Sequence, residues 1–352
     1  MDLSLIDAVR AEFTHATTYL NTATAGLLPR SAVAAVRELA EAAGAGVPAG
    51  HGDFDRVDRV RAAYARLVGV DVQRVALGSA VATHVGLVAA ALPPGAEVLC
   101  PEGDFASVIN PFVVRGDLKV RFVPLEAVAE GVGPGTALVA LSAVQSADGR
   151  LADLAAVRAA TLRYGARMLV DVTQAAGWLP FDASPYDYTV AAGYKWLLGS
   201  RGASYLTVSE EAQEGLTPLH AGWVAAEVPH EATYGPMVQL ARGARRFDES
   251  PAFLPYYAAE ASLALLERIG IGAVHAHGTA LAARYRAGLA RLGHEPVPGG
   301  SPIVAVPGLA GRQPALLEAG IATAARAGAL RASFHLYTTE ADVDRLLDAL
   351  AG

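Results

Sequence analysis

Three short stretches of this 352-residue chain carry residue types able to do chemistry. Asp171 closes the apolar run Met168–Val170 and is followed by Gln174. In an open α/β sheet, ligands bind beyond the carboxyl ends of the strands. An aspartate there could meet a metal, a ribose or a protonated ring nitrogen, or simply cap the next helix. Lys195 sits between Tyr194 and Trp196, just past the run Tyr188–Ala191. Burial lowers a lysine pKa, which makes the amine nucleophilic and able to form a Schiff base. The alternative is a lysine whose stem lies on the rings with its head in water. Gly78-Ser79-Ala80-Val81 joins the run Arg74–Leu77 to a helical stretch. Such a turn offers unpaired N–H groups and a positive dipole end to a phosphate. It has neither the Gly/Lys pattern of a P-loop nor the three-glycine dinucleotide fingerprint. Together the three stretches are the equipment for pyridoxal phosphate: an anion site, an acid for the pyridinium and a lysine for covalent attachment.

The elements that must position these residues alternate along the chain. Strand candidates are Arg74–Leu77, Glu97–Cys100, Val120–Pro124, Ala137–Val144, Met168–Asp171, Tyr188–Ala191 and Ser204–Val208. They are short and apolar on both faces, as in a sheet covered by helices on both sides. Helical spacing lies between several of them, as in Val81–Leu92 and Leu154–Tyr164. The pattern predicts an α/β domain with a mostly parallel seven-stranded sheet over residues 20–254. From residue 255 it changes to a long helical stretch reaching Leu292, interrupted at Gly270–Gly272. A strand (Pro302–Val306), a helix (Gln313–Glu318), a strand (Leu330–Tyr337) and a helix (Ala341–Leu350) follow. Residues 255–352 therefore read as a smaller α+β domain, and Met1–Tyr19 as a helical segment packing on one of the two. Glu340 and Asp342 suit the start of the last helix.

Composition bounds the rest. The chain is 53% hydrophobic and 18% charged, which excludes disorder, and its net charge of −7 gives no basic field for nucleic acid or anionic lipid. No apolar stretch reaches the ~18 residues that span a bilayer, and Asp2 and Asp7 argue against a secretory signal. One cysteine, Cys100, rules out an internal disulfide. These features point to a cytoplasmic protein. The nine histidines form no close ligand pair with a carboxylate, so no metal is expected. Gly222–Trp223 with Pro229–Tyr234 reads as an active-site loop or a plain surface loop. Arg242, Arg245 and Arg246 read as a solvated face or, preferably, as receivers of an acidic substrate group.

From Tyr19 to Leu350 the chain resembles the class V aminotransferase superfamily of fold-type I pyridoxal phosphate enzymes, which contains cysteine desulfurases, kynureninase and isopenicillin N epimerase-like proteins. Tyr19-Leu20-Asn21-Thr22-Ala23 is similar to its N-terminal strand, which implies Asn21 near the substrate carboxylate. Asp171 and Gln174 match an Asp-x-x-Gln, implying contacts to the pyridine nitrogen and phenolic oxygen. Lys195 falls at the Schiff-base position, before Gly199-Ser200-Arg201-Gly202 in place of a Gly-Pro-Lys/Arg-Gly turn. Ser79, Ala80 and Val81 then become phosphate ligands. Arg246–Pro251 resembles the segment that, in family dimers, gives a hydroxyl to the partner subunit's phosphate, implying a homodimer with Ser250 in that role. Arg331-Ala332-Ser333 resembles the stretch whose Arg holds the substrate carboxylate.

Departures narrow the chemistry. Phe105 stands where desulfurases stack an imidazole, so it can cover a pyridine ring but cannot shuttle protons. Tyr194 can give one hydrogen bond to phosphate, as in kynureninase-like members, while Ala192 replaces a phosphate-binding serine. Ser146, or Gln145 beside it, takes the place of an Asn at the phenolic oxygen. No cysteine precedes Arg331 in Ala327-Gly328-Ala329-Leu330, which argues against a persulfide-forming desulfurase. The resemblance implies an enzyme acting on an α-amino acid, first an aminotransferase-type reaction, then a C–S lyase or an epimerase. A silent binding protein of the same fold is the non-enzyme alternative.

Overall fold

The computed structural model describes Val9 and residues 11–352. Seven strands form one sheet: β2 (Val75–Gly78), β3 (Glu97–Pro101), β4 (Lys119–Val123), β5 (Thr136–Ser142), β6 (Arg167–Asp171), β7 (Tyr188–Ala192) and β8 (Ser204–Val208). Their order is β2-β8-β7-β6-β5-β3-β4, and β8 alone runs against the others. All seven lie within two residues of the strands read from sequence. Alternating residues explain why the sheet is buried twice over. On β5, Leu138 and Ala140 face one hydrophobic cluster, whereas Val139 and Leu141 face the other. Each such fully buried Leu or Val contributes ~1.5–3 kcal/mol of burial free energy.

Caps set the helix ends locally. The helix Leu154–Tyr164 starts where the Asp153 side chain accepts from Ala156 N–H and stops at Gly165, φ 69°. The helix Glu340–Ala351 opens with a capping box between Thr339 and Asp342. The long helical stretch breaks at Gly270, φ 82°, into Phe253–Ile269 and Ile271–Arg291.

Residues near the C-terminus form an antiparallel sheet of order β11-β12-β9, from β9 (Ile303–Pro307), β11 (Ala324–Arg326) and β12 (Ala329–Ser333). Two sequence readings change here. The strand expected over Leu330–Tyr337 stops at Ser333. Thr18–Tyr19, expected to be helical, forms β1, which pairs in parallel with β10 (Ile321–Ala322). Residues 1–8 and 10 of that expected helix lie outside the described residues. The helix Phe253–Ile269, which begins beside the expected boundary at 255, buries Tyr256, Leu263, Leu266 and Ile269 in the same cluster as Val139 and Val170. Leu20, conversely, is buried in the C-terminal cluster with Leu330 and Phe334. Among the described residues no helix is long and apolar enough to cross a membrane.

Candidate functional site

The parallel strands deliver their chemistry at one edge of the sheet. The carboxyl ends of β2, β3, β6 and β7 lead into Ser79–Val81, Phe105, Asp171 and Lys195. These residues line one cavity of about 230 Å³, together with Ala82, Ser107, Thr173, Ala192, Tyr194, Arg201 and Gly202. That is where an open α/β sheet binds ligands.

Lys195 is 4% exposed and makes no hydrogen bond or ion pair among the described residues. Its Nζ lies 5.0 Å from the centre of the Phe105 ring and 5.8 Å from that of Tyr194. A tight loop holds it there. Gly193 N–H donates to Ala203 O, and Gly199 N–H donates to Gly193 O, both at 2.9 Å. Leu198 is driven to φ 58°, a costly conformation for a branched side chain. Gly26 donates its N–H to Tyr194 O at 2.9 Å, and a Cβ there would lie 2.1 Å from Lys195 O. Only glycine lets that segment brace the lysine loop.

Burial lowers the Lys195 pKa to about 8, against the opposing pull of Asp171; Arg331 and Arg201 lower it further. Roughly one amine in ten is then neutral at pH 7. Burial likewise raises the Asp171 carboxyl to about 6, although Thr173 N–H donates to its Oδ1 at 2.7 Å and Lys195 favours its charge. Each of the two groups is thus moved toward neutrality. Thr173 Oγ1 also accepts from Ala192 N–H at 3.0 Å, tying β7 to the turn after β6.

The remaining sequence candidates form a polar chain beside the cavity. Arg331 Nη2 donates to Thr24 Oγ1 at 2.8 Å, and its Nη1 donates to Ser146 O and, at 3.3 Å, to Ser146 Oγ. Gln174 Nε2 donates to Ser146 Oγ and to Ala23 O, each at 2.9 Å, and its Oε1 accepts from Trp196 Nε1 at 2.7 Å. Of the two neighbours left open by sequence, Ser146 joins this chain. Gln145 instead donates to Asp104 Oδ2 at 3.2 Å. Asp104 also accepts from Phe105 N–H at 2.6 Å and from Ser142 Oγ, which fixes the backbone that carries the Phe105 ring. Arg331 is 2% exposed and has no acid partner among the described residues.

Several expectations need amending. Ser79 spends its N–H and hydroxyl on Glu249 Oε2, at 3.1 and 2.5 Å, instead of turning them to the cavity. Ser250 needs no such change: it is exposed and lies outside this chain's own cavity, and its expected place is the partner subunit's site. Trp223 and His230 line a different cavity, of about 570 Å³, next to Glu249 and Phe54. Arg245 donates to the carbonyls of Val224, Ala226 and Glu227, so it pins that segment rather than receiving a substrate. Arg201, in the turn Gly199–Gly202, carries no assigned role on sequence alone. Its guanidinium lies 4.0 Å over the Tyr194 ring, and it lines the cavity as a cation. Thr173 and Ser107 were not singled out; one polar residue near a strand end carries no distinguishing signal.

The residues fit the cofactor that the sequence resemblance implies. At the start of the helix Val81–Ala91, Val81 and Ala82 N–H have no acceptor among the described residues, and Ala80 supplies no side-chain cap, so a phosphate can be received there. Two buried polar atoms, Arg331 Nε and Asn21 Oδ1, have no partner among the described residues, a costly state unless a ligand satisfies it. Cys100 is fully buried and its thiol is pushed up to about 12, so it is no nucleophile.

Comparison with known proteins agrees. The pattern of the family described as aminotransferase class-V matches residues 18–305. Isopenicillin N epimerase of Streptomyces clavuligerus is 30% identical over 334 residues, 83% of this chain and 83% of that relative. The uncharacterized aminotransferase YcbU of Bacillus subtilis (strain 168) is 29% identical over 236 residues, 64% of this chain and 62% of that relative's length. The cystine C-S lyase C-DES, solved with its product cysteine persulfide, superposes with a TM-score of 0.85 at 25% identity, over 96% of this chain and 97% of that one. The cysteine desulfurase of Thermococcus onnurineus NA1 shares the fold, with a TM-score of 0.82 at 20% identity, over 95% and 94% of the two chains. The chain belongs to the class V aminotransferase family of pyridoxal phosphate enzymes.

Proposed function

We propose that this enzyme removes the Cα proton of an α-amino acid and directs it into an aminotransferase-type reaction. The observation that carries the reading is Lys195: buried, without a hydrogen-bond partner among the described residues, and lowered to about 8 in a cavity shared with Asp171 and Phe105. When bound, pyridoxal phosphate supplies an electron sink for negative charge at Cα. The first turn of Val81–Ala91, with Ala80, holds the phosphate, and Arg201 and Tyr194 complete that end with a cation and a phenol. Asp171 holds a proton at the ring nitrogen through a charge-assisted hydrogen bond. Phe105 covers the ring and keeps water from it. Lys195 is the covalent anchor and, once freed by substrate, the base at Cα. Arg331 binds the α-carboxylate through its unpaired Nε, with Asn21 alongside and Ser146 and Gln174 holding the arginine in place.

The chain's residues also set how the reaction ends. Phe105 has no proton to give, so Lys195 is the proton donor within reach. Return of the proton to the cofactor side gives aminotransfer, and return to the opposite face of Cα gives epimerisation. Loss of a β-substituent gives C–S lysis, a second reading favoured by the likeness to C-DES. The tight hairpin turn Ala327–Gly328 leaves no loop for a nucleophilic cysteine, which speaks against a persulfide-forming desulfurase. We also propose a homodimer, in which the exposed Ser250 serves the partner subunit; an active monomer in sedimentation with full cofactor occupancy would contradict it.

The test adds candidate amino acids singly and detects keto acid, ammonia, thiol or inverted amino acid. Borohydride should fix the cofactor covalently to the wild type and not to Lys195→Ala. Covalent fixation in the variant would make another lysine the anchor.

A further inference from the structure

Arg331 has a neighbour that the reading above does not use. In the β11–β12 hairpin Ala324 pairs with Arg331, Ala325 with Leu330 and Arg326 with Ala329. Side chains alternate along a strand, so Arg326 stands two residues from Ala324 on the face that carries Arg331. That face looks toward the site: Arg331 meets Thr24 and Ser146, and Ser333 Oγ accepts from Ala23 N–H at 2.9 Å. The opposite face, with Leu330 and Ala332, is buried in the C-terminal cluster. The two-residue turn, with Ala327 at φ 46° and Gly328 at φ 78°, holds Arg326 at the exposed tip.

Two arginines on one face repel, and a sheet normally separates or pairs them. Here nothing pairs them. Arg326 spends one N–H on Ala325 O and has no ion pair among the described residues. Three of the four acids of the last helix are engaged elsewhere: Glu340 and Asp344 bind Arg284, and Asp342 caps its own helix; the fourth, Asp348, forms no ion pair with Arg326. The Arg326 charge is felt at both Arg331 and Lys195, where it makes each easier to deprotonate. The mouth of the site thus carries one more positive charge than a single α-carboxylate needs.

We infer that Arg326 receives a second carboxylate, so that the substrate is an amino acid with an acidic side chain. The inference rests on the proposed roles of Lys195 and Arg331, and extends them to the substrate class. Arg331 takes the α-carboxylate inside the cleft, and Arg326, at the solvent edge of the same strand pair, takes the distal acid.

The experiment uses the holoenzyme and the visible absorption band of its lysine-bound cofactor. Dissociation constants are read from the change of that band for aspartate against asparagine and glutamate against glutamine. At least one acid should bind about three- to fivefold tighter than its amide, as an ion pair at the solvent edge allows. Arg326→Gln should bring that ratio close to one, and Arg326→Lys should keep part of it. Equal affinities for acids and amides in the wild type overturn the inference. So does a ratio that survives Arg326→Gln. A loss shared equally by acids and amides overturns it too, since Arg326 would then help to hold the α-carboxylate. Absence of any cofactor band in the wild type would sink the underlying reading as well, and is recognised before any amino acid is added.

Discussion

Two buried cations in this protein are treated in opposite ways. Arg61 is 6% exposed and Lys195 is 4% exposed. Arg61 meets Asp248 through two hydrogen bonds of 2.7 and 3.0 Å, and its Nη1 also donates to Val75 O. Asp248 Oδ1 accepts in turn from Leu77 N–H at 2.8 Å. Burial works against the Arg61 charge, but Asp248, helped by Asp58, more than offsets it, and the guanidinium is held above its ordinary value; burial still raises the Asp248 carboxyl against the pull of Arg61, so the closed contact is secured on the arginine side. Lys195 faces Asp171 without such a contact, and burial wins for both groups. Equal burial therefore produces a closed ion pair behind β2 and an open, perturbed pair beyond β6 and β7. The first ties the helix Phe54–Leu67 to the segment around Asp248. The second leaves polar capacity for a ligand, as functional sites do.

The comparison can be broken most severely at Arg61. Arg61→Met should cost ~3–5 kcal/mol in denaturant unfolding, because Asp248 is left buried and uncompensated. Lys195→Met in the cofactor-free protein should cost little or raise stability below pH 8. The sign follows from the depressed folded pKa: the wild type loses stability as pH falls from about 10.5, where the unfolded chain takes up a proton, to about 8, where the buried amine does, and the loss is complete below that. A large loss in both variants would show that Lys195 is a structural cation like Arg61.

Asp171→Ala should leave a yellow protein whose turnover falls about a hundredfold or more, since the ring proton loses its acceptor. Near-normal turnover would place the carboxylate away from the ring. Arg331→Lys should raise the apparent KM for an α-amino acid about tenfold with cofactor retained, because lysine offers a point charge where arginine offers a fork. Unchanged kinetics would remove Arg331 from the substrate site.

The smallest effect sharpens the pair itself. Capture of a carbonyl probe by cofactor-free protein should rise with pH about a midpoint near 8. Asp171 favours the charged amine, so Asp171→Asn should move that midpoint down, by up to about one unit. An upward move would mean that the two groups do not share a field.

Much of the large sheet was legible because its signals are local. Apolar runs of five to seven residues, such as Thr136–Ser142, are bounded by turns and report strands within a few positions. Asp153, Thr339 and Gly165 mark helix ends through hydrogen bonds reaching three or four residues. A lysine flanked by Tyr194 and Trp196 after a strand signals burial for the same reason. These features were determined by the chain's own neighbours. Others depended on parts of the chain that meet only in the folded molecule. Thr18–Tyr19 becomes a strand because Ile321–Ala322 lies beside it, and two residues carry no periodicity of their own. Glu249 claims the Ser79 hydroxyl, and Arg331 reaches Ser146, across 170 and 185 positions of sequence. Cavity walls, orphaned atoms and shifted pKa values arise from such distant juxtapositions, since desolvation is a property of everything that surrounds a group. The sequence by itself determined which residue types stand at the strand ends; the tertiary structure alone decided which of them are left without a partner.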